Sequence, residues 1–238
     1  SQLFGEHPFE KNGFASVPDF MGGMENQTLT TIMPHWNSVT PLISHEYAHQ
    51  WFGDMITCGT WADIWLNEGF ATYCDALYLE QISGYDSYKQ NINHRASDYF
   101  GTNPGWPIYN PSWAITTPPS GTLFDNAITY CKGSCVLHML RYTIGDSLFF
   151  AALKAYATDT VNFKMKCAVT DDFTAKISSV AGQDLTWFID QWVKQPNHPQ
   201  YQNTYGISNL GGGNWRVSFK AYQTLSNTTF HKMPIVLK

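Results

Sequence analysis

Two histidines four residues apart flank a glutamate in His45-Glu46-Tyr47-Ala48-His49. On a helix, positions four apart share a face, so both imidazoles can reach one metal ion. Glu46 projects beside that face, where it can take a proton from water at the metal. A catalytic zinc needs three protein ligands and a fourth position open for water. Glu68 follows His49 with eighteen residues between them, within Trp65-Leu66-Asn67-Glu68-Gly69-Phe70, and supplies the third ligand if the chain folds back as helix–turn–helix. The resulting set of two histidines and a carboxylate suits Zn2+, one ion per chain. Buried histidines meeting by accident are the competing explanation. A chain with only 8 histidines produces this pattern rarely by chance, which favours the metal.

These residues need two helices to carry them, and the sequence provides signals for both. Thr40 and Pro41 suit a helix start, and Gly53 suits its end. A second helix is expected from Ala62 to Ile82, ending before Gly84. Upstream, Phe14-Ala15-Ser16-Val17 and Thr28-Leu29-Thr30-Thr31-Ile32 read as strands, with Gly22-Gly23 as a joint between them. Gly101 to Gly121 is rich in Pro, Gly, Asn and Ser and reads as a long surface loop. Further helices are expected from Phe124 to Tyr142, Phe149 to Thr158, Asp171 to Val180 and Leu185 to Val193. Near residue 197 the pattern changes. Pro196-Asn197-His198-Pro199 breaks the helical run, and Asn214 to Ala221 alternates polar with apolar residues in strand fashion. A final strand to Leu237 would continue an unfinished antiparallel β module.

Composition narrows the class. The chain has 238 residues, 14 basic against 19 acidic side chains and no basic cluster, so a nucleic-acid partner has no electrostatic footprint. No apolar run approaches the length of a transmembrane helix. Aromatic residues at 16% argue against disorder. Neither end carries a signal-peptide or closing-turn pattern, and both read as cuts within a longer protein. Cys131 and Cys135, one helical turn apart, are poorly spaced for a bridge. Cys58, Cys74 and Cys167 could be paired or free, with small buried thiols the favoured reading. Low charge and many Asn, Thr, Ser and Tyr lean towards a secreted, periplasmic or cell-surface protein, with a cytoplasmic one as the alternative.

His45-Glu46-x-x-His49 followed by Asn67-Glu68-Gly69, with Gly22-Gly23-Met24-Glu25-Asn26 upstream and Tyr130-x-Lys132-Gly133 downstream, resembles the gluzincin aminopeptidase family, which includes aminopeptidase N and leukotriene hydrolase. The doubled glycine is similar to the leukotriene hydrolase branch. The resemblance covers most of residues 1–196. It implies an α+β fold: a thermolysin-like, mainly helical zinc metallopeptidase domain with a small β-sheet over residues 1–196. The start of a β-sandwich module would follow over 197–238. It further implies zinc-dependent hydrolysis of the N-terminal peptide bond of peptides, with Glu46 as general base. Tyr130 would stabilise the oxyanion, and Glu25 would pair with the free N-terminus of the substrate. Gly22, Gly23, Met24 and Asn26 would line the substrate with Glu25. Other domains of a full-length protein would complete the cleft. An endopeptidase, a bifunctional epoxide hydrolase and an inactive metal- or peptide-binding fragment are the alternatives. Cys131 departs from the acidic residue many relatives carry after the tyrosine. Asp63 and Thr72 are candidates to support the metal ligands, and Asp54 to serve the turn after Gly53. No metal is assigned to His7, His35, His94, His138, His198 or His231.

Overall fold

The structure is a computed structural model that describes residues 3–34, 40–225 and 230–235. His35, the Thr40 side chain and the end of the expected last strand (236–238) lie outside the described residues. A small sheet opens the chain, formed by β1 (Phe14–Ser16), β2 (Gly23–Met24) and β3 (Thr30–Ile32). β3 lies in the middle, parallel to β1 and antiparallel to β2. Gly22 joins the strands with φ +86°, a left-handed conformation that favours glycine.

Helix α1 (Thr40–Ala48) and helix α2 (Trp65–Ser83) follow, with β4 (Ile56–Cys58) and a short 3-10 turn (Trp61–Asp63) between them. The regular part of α1 stops short of the expected Gly53. His49 still closes a helical bond to the His45 carbonyl at 3.2 Å, and the chain then turns through Gly53 at φ +139°. Helix α2 is the centre of the molecule. Every residue from Trp65 to Leu77 is buried, so this helix is enclosed on all sides rather than amphipathic. It packs against α1, α3 (Tyr85–Thr102) and α5 (Gly133–Ile144). Aromatic rings fill the space below it: Phe70 lies 4.8 Å from Phe52 and 5.1 Å from Phe173 between ring centres.

Helix α3 has no counterpart in the sequence reading. It is mostly polar and buries only Tyr88, Ile92 and Tyr99, so its periodic signal is thin. The expected loop from 101 to 121 is largely irregular, with a 3-10 turn at Pro111–Ala114 and the short α4 (Ser120–Leu123). The next expected helix divides in two: a π-helix over Asn126–Lys132 leads directly into α5. Helices α6 (Asp146–Thr158), α7 (Thr170–Ala181) and α8 (Thr186–Trp192) follow the remaining expectations closely. Strand β5 (Lys166–Ala168), also unforeseen, pairs in parallel with β4. Arg141 on α5 ties three helices together, meeting Glu80 at 2.7 and 3.0 Å and Asp146 at 2.9 and 2.7 Å.

After α8, β6 (Pro199–Gly211) and β7 (Asn214–Leu225) form an antiparallel hairpin, paired from Pro199↔Leu225 to the turn. Both of its faces are largely exposed. Residues 230–235 run on without strand pairing. They are held to α8 by Gln191, which exchanges two 2.7 Å hydrogen bonds with the Lys232 backbone. All five cysteines are free thiols; Cys74 and Cys131 are buried as the favoured reading has it, whereas Cys58 and Cys135 are half-buried and Cys167 is exposed. Among the described residues no helix is long and apolar enough to cross a membrane.

Candidate active site

His45 on α1, His49 just past its end and Glu68 in the first turn of α2 converge. His45 Nε2 lies 3.1 Å from His49 Nε2, and Glu68 Oε2 lies 3.3 and 3.2 Å from the two nitrogens. Ligand atoms bound to a tetrahedral zinc at 2.0–2.1 Å stand about 3.3–3.4 Å apart, so three donors already sit at nearly that spacing. Burial alone would raise the Glu68 carboxyl, but hydrogen bonds from His45 and His49 outweigh it and hold it down at about 2. The site therefore presents one anion and two imidazoles, a set suited to zinc. The other nitrogen of His49, Nδ1, meets the Phe52 carbonyl at 2.9 Å. That carbonyl can hold a proton on Nδ1 when a metal takes the place of the Nε2 proton shared with Glu68.

Glu46 points from α1 towards β2. Gly23 makes room for it, since a Cβ at that position would overlap the Glu46 carboxylate. Burial pushes Glu46 up to about 7. Glu25, at the end of β2, lies close enough to Glu46 and His49 that the three also form a possible metal-binding group. Two carboxylates and one histidine make a harder, more oxygen-rich set than the first group, and the first suits zinc better. Gln50 holds this strand, donating to the Glu25 carbonyl at 3.1 Å and to Asp54 Oδ2 at 2.8 Å. Burial, then the neighbouring Glu25, raises Asp54 to about 7. Asp54 thus serves the turn after Gly53, its amide bonding the His49 carbonyl at 2.9 Å, and also contributes to the negative field around Glu25.

Tyr130 enters from the π-helix and stacks on His45, with ring centres 6.0 Å apart. Burial and then Glu68 raise its hydroxyl above the ordinary phenol range, so it remains a proton-bearing donor. A cleft of about 370 Å³ joins Gly23, Glu25, His45, Glu46, His49, Glu68 and Tyr130. A second cavity, of about 630 Å³, shares Glu25 and Glu68 and is walled by Met24, Trp61, Ile64, Trp113 and Phe124. Gly22 shapes the turn but does not line the cleft. Asn26 accepts from Thr31 Oγ1 at 3.0 Å and likewise lies outside it.

Two supporting assignments change. Asp63 turns away from the histidines: Oδ1 accepts from the Thr170 amide at 2.8 Å and hydroxyl at 2.7 Å, anchoring the start of α7. Thr72 lines the cleft, but its hydroxyl makes no hydrogen bond among the described residues. The carboxylate that approaches one of these two histidines is Asp75, with Oδ2 4.0 Å from His45 Nδ1. Burial raises Asp75 to about 8, with the Arg95 charge pulling the other way. Neither Asp75 nor Arg95 carries a local motif. The seven-residue spacing from Glu68 was the one available signal, because it places Asp75 two turns further along the same face.

The model of the peptidase family M1 domain matches residues 1–192. The chain belongs to peptidase family M1. Among its M1 relatives, aminopeptidase N of Lactococcus lactis subsp. lactis is 31% identical over 212 residues, covering 82% of this chain and 24% of the relative. Aminopeptidase 2 of Candida albicans is 30% identical over 237 residues, covering 91% and 24%. A solved M1 zinc metallopeptidase from Deinococcus radiodurans, a variant bound to a Tyr-Ser-Ala substrate, superposes with a TM-score of 0.71 at 29% identity, covering 84% of this chain and 43% of that one. The mainly helical fold with small sheets is thus that of an M1 catalytic domain. The chain spans about a quarter of the length of the curated M1 relatives it matches.

Proposed function

We propose that this chain is the catalytic part of a zinc aminopeptidase, acting on peptides with a free N-terminus. The observation that carries the reading is the convergence of His45, His49 and Glu68 within 3.3 Å of one another, beside Glu46, Tyr130 and Glu25 in one cleft. His45, His49 and Glu68 hold the metal. When bound, zinc supplies a Lewis acid for the scissile carbonyl and lowers the pKa of water from 15.7 to about 7. Glu46 takes the proton from the attacking water and delivers it to the departing amine. Tyr130 donates a hydrogen bond to the carbonyl oxygen as negative charge grows there. Glu25 pairs with the substrate ammonium, which an interior peptide segment lacks, and so sets the register at the first peptide bond. Gly23 and Met24 form the strand along which the substrate lies, and Gly22 and Asn26 shape its ends.

Residues 1–196 form the thermolysin-like domain in this reading, and residues 197–238 begin a β-sandwich completed by other parts of a longer protein. The exposed faces of the β6–β7 hairpin support that division, since a two-stranded hairpin is marginal alone.

The test is zinc content by elemental analysis beside hydrolysis of free and N-acetylated aminoacyl substrates, in the wild type and Glu46→Gln. One zinc in both proteins is expected, with turnover of free substrates only, falling about 10²–10⁴-fold in the variant. No zinc after reloading, or equal cleavage of blocked substrates, would overturn the reading.

A further inference from the structure

We propose that Asp75, clamped by Ser44 and Arg95, is the positioning residue that fixes the orientation and tautomer of His45 for metal binding. The inference rests on the zinc reading above and adds a residue to it.

The two ligand histidines are supported differently. His49 meets a backbone carbonyl through Nδ1 at 2.9 Å. Among the described residues His45 has no such carbonyl partner; its Nδ1 faces the Asp75 carboxylate at 4.0 Å. Glu68 and Asp75 stand two turns apart on one face of α2, so a single helix presents a carboxylate to each nitrogen of the same imidazole, Nε2 at 3.3 Å and Nδ1 at 4.0 Å. A neutral imidazole carries its proton on one nitrogen and a lone pair on the other. An acceptor beside Nδ1 favours the tautomer that keeps the proton there and turns the Nε2 lone pair towards the metal.

Asp75 is itself held in place. Oδ1 accepts from Ser44 Oγ at 3.0 Å, and Oδ2 accepts from the Arg95 guanidinium at 3.2 Å. Ser44 adjoins His45 on α1 and Arg95 sits on α3, so three helices fix one carboxylate that is only 2% exposed. Burying a carboxylate is costly even when it is paired, and an apolar pair of similar shape is often no less stable. A plain tie between α2 and α3 does not require an ion pair, whereas fixing an imidazole does require an acceptor.

The experiment is a competition titration of zinc against a chromophoric chelator, with the visible spectrum of the cobalt-substituted protein and the melting temperature of the metal-free protein. It compares the wild type with Asp75→Asn, Asp75→Glu, Arg95→Met and Glu68→Gln. Asp75→Asn is expected to weaken zinc binding about 10–100-fold and to alter the cobalt spectrum. Asp75→Glu lengthens the side chain towards Nδ1 and is expected to stay within about threefold of the wild type. Arg95→Met is expected to lower the melting temperature about as much as Asp75→Asn while costing less metal affinity. Zinc affinity and cobalt spectrum unchanged in Asp75→Asn would overturn the proposal. So would equal losses of affinity in Asp75→Asn and Asp75→Glu. Should the substitutions prevent folding, nitrogen-15 NMR of the zinc-loaded wild type decides: a slowly exchanging proton on His45 Nδ1 supports the assignment, and fast exchange with solvent overturns it. Failure of the wild type to bind zinc, or no loss of affinity in Glu68→Gln, would instead sink the metal-site reading itself.

Discussion

The residue that leaves least room for change in the cleft is a glycine. Gly23 lets β2 approach α1 so closely that any side chain there meets the Glu46 carboxylate. Gly23→Ala must therefore displace either the strand or Glu46. Misplacing a catalytic group by about 1 Å can cost 10²-fold. The expected outcome is a loss of turnover of about that size with zinc content unchanged, read from kcat beside elemental analysis; an unchanged kcat would refute it. His45 and His49 were legible in the sequence because helix periodicity puts them on one face, and Glu46 and Glu68 because motif spacing supplies them. Asp75 and Arg95 were not, because they meet across two helices and neither lies in a recognisable pattern. Asp63 misled for the converse reason. Nearness to Glu68 in sequence suggested a role at the metal, while the fold uses its carboxylate to anchor Thr170 on α7.

Among the elements, α2 and α6–α8 were expected close to where they form, with the starts of α2 and α6 each three residues off. The π-helix was not expected, because no side-chain pattern separates it from an ordinary helix, and such segments recur at functional sites. It carries Tyr130 and ends at Lys132, whose buried ammonium donates to the Gln195 carbonyl at 3.0 Å and so ties this segment to the chain after α8. Burial pushes Lys132 down to about 7 in the folded protein, against an unfolded value near 10.4. Between those pH values the unfolded chain keeps a proton that the folded chain has released, so the contribution of Lys132 to stability rises with pH. Denaturant melts of the wild type and Lys132→Met from pH 7 to 10 should show the wild type gaining on the variant, by at most about 1.4 kcal/mol per pH unit. A constant difference across that range would contradict the burial argument. Strand β5 escaped notice because three residues, two of them exposed, give no alternation to count, and their partner β4 is far away in sequence.

At the scale of the whole molecule, stability is unevenly distributed. The aromatic core under α2 is enclosed by helices, whereas the β6–β7 hairpin has exposed Tyr205, Ile207, Trp215 and Val217 and little to pack against. Segments with few buried contacts open at lower free energy than the core. Native-state hydrogen exchange should therefore find the hairpin amides of residues 200–224 exchanging well ahead of those in α2. Equal protection in both would mean that the hairpin is buried against something in solution. The change from helix to strand after α8 was visible in the sequence as a change of period.

The close meeting of α2 and α5 has a consequence for anyone transplanting this site. A Cβ on Gly69 would come within 3.1 Å of Gly133 Cα, and one on Gly133 within 3.0 Å of Gly69 Cα. Gly69 follows Glu68, and Gly133 stands three residues after Tyr130, so the separation of those two side chains is gauged by bare backbone. A scaffold that copies the side chains but spaces its helices for alanine or leucine would hold every named group and still set the tyrosine too far from the carboxylate. The two glycines belong to the portable unit as much as the histidines do.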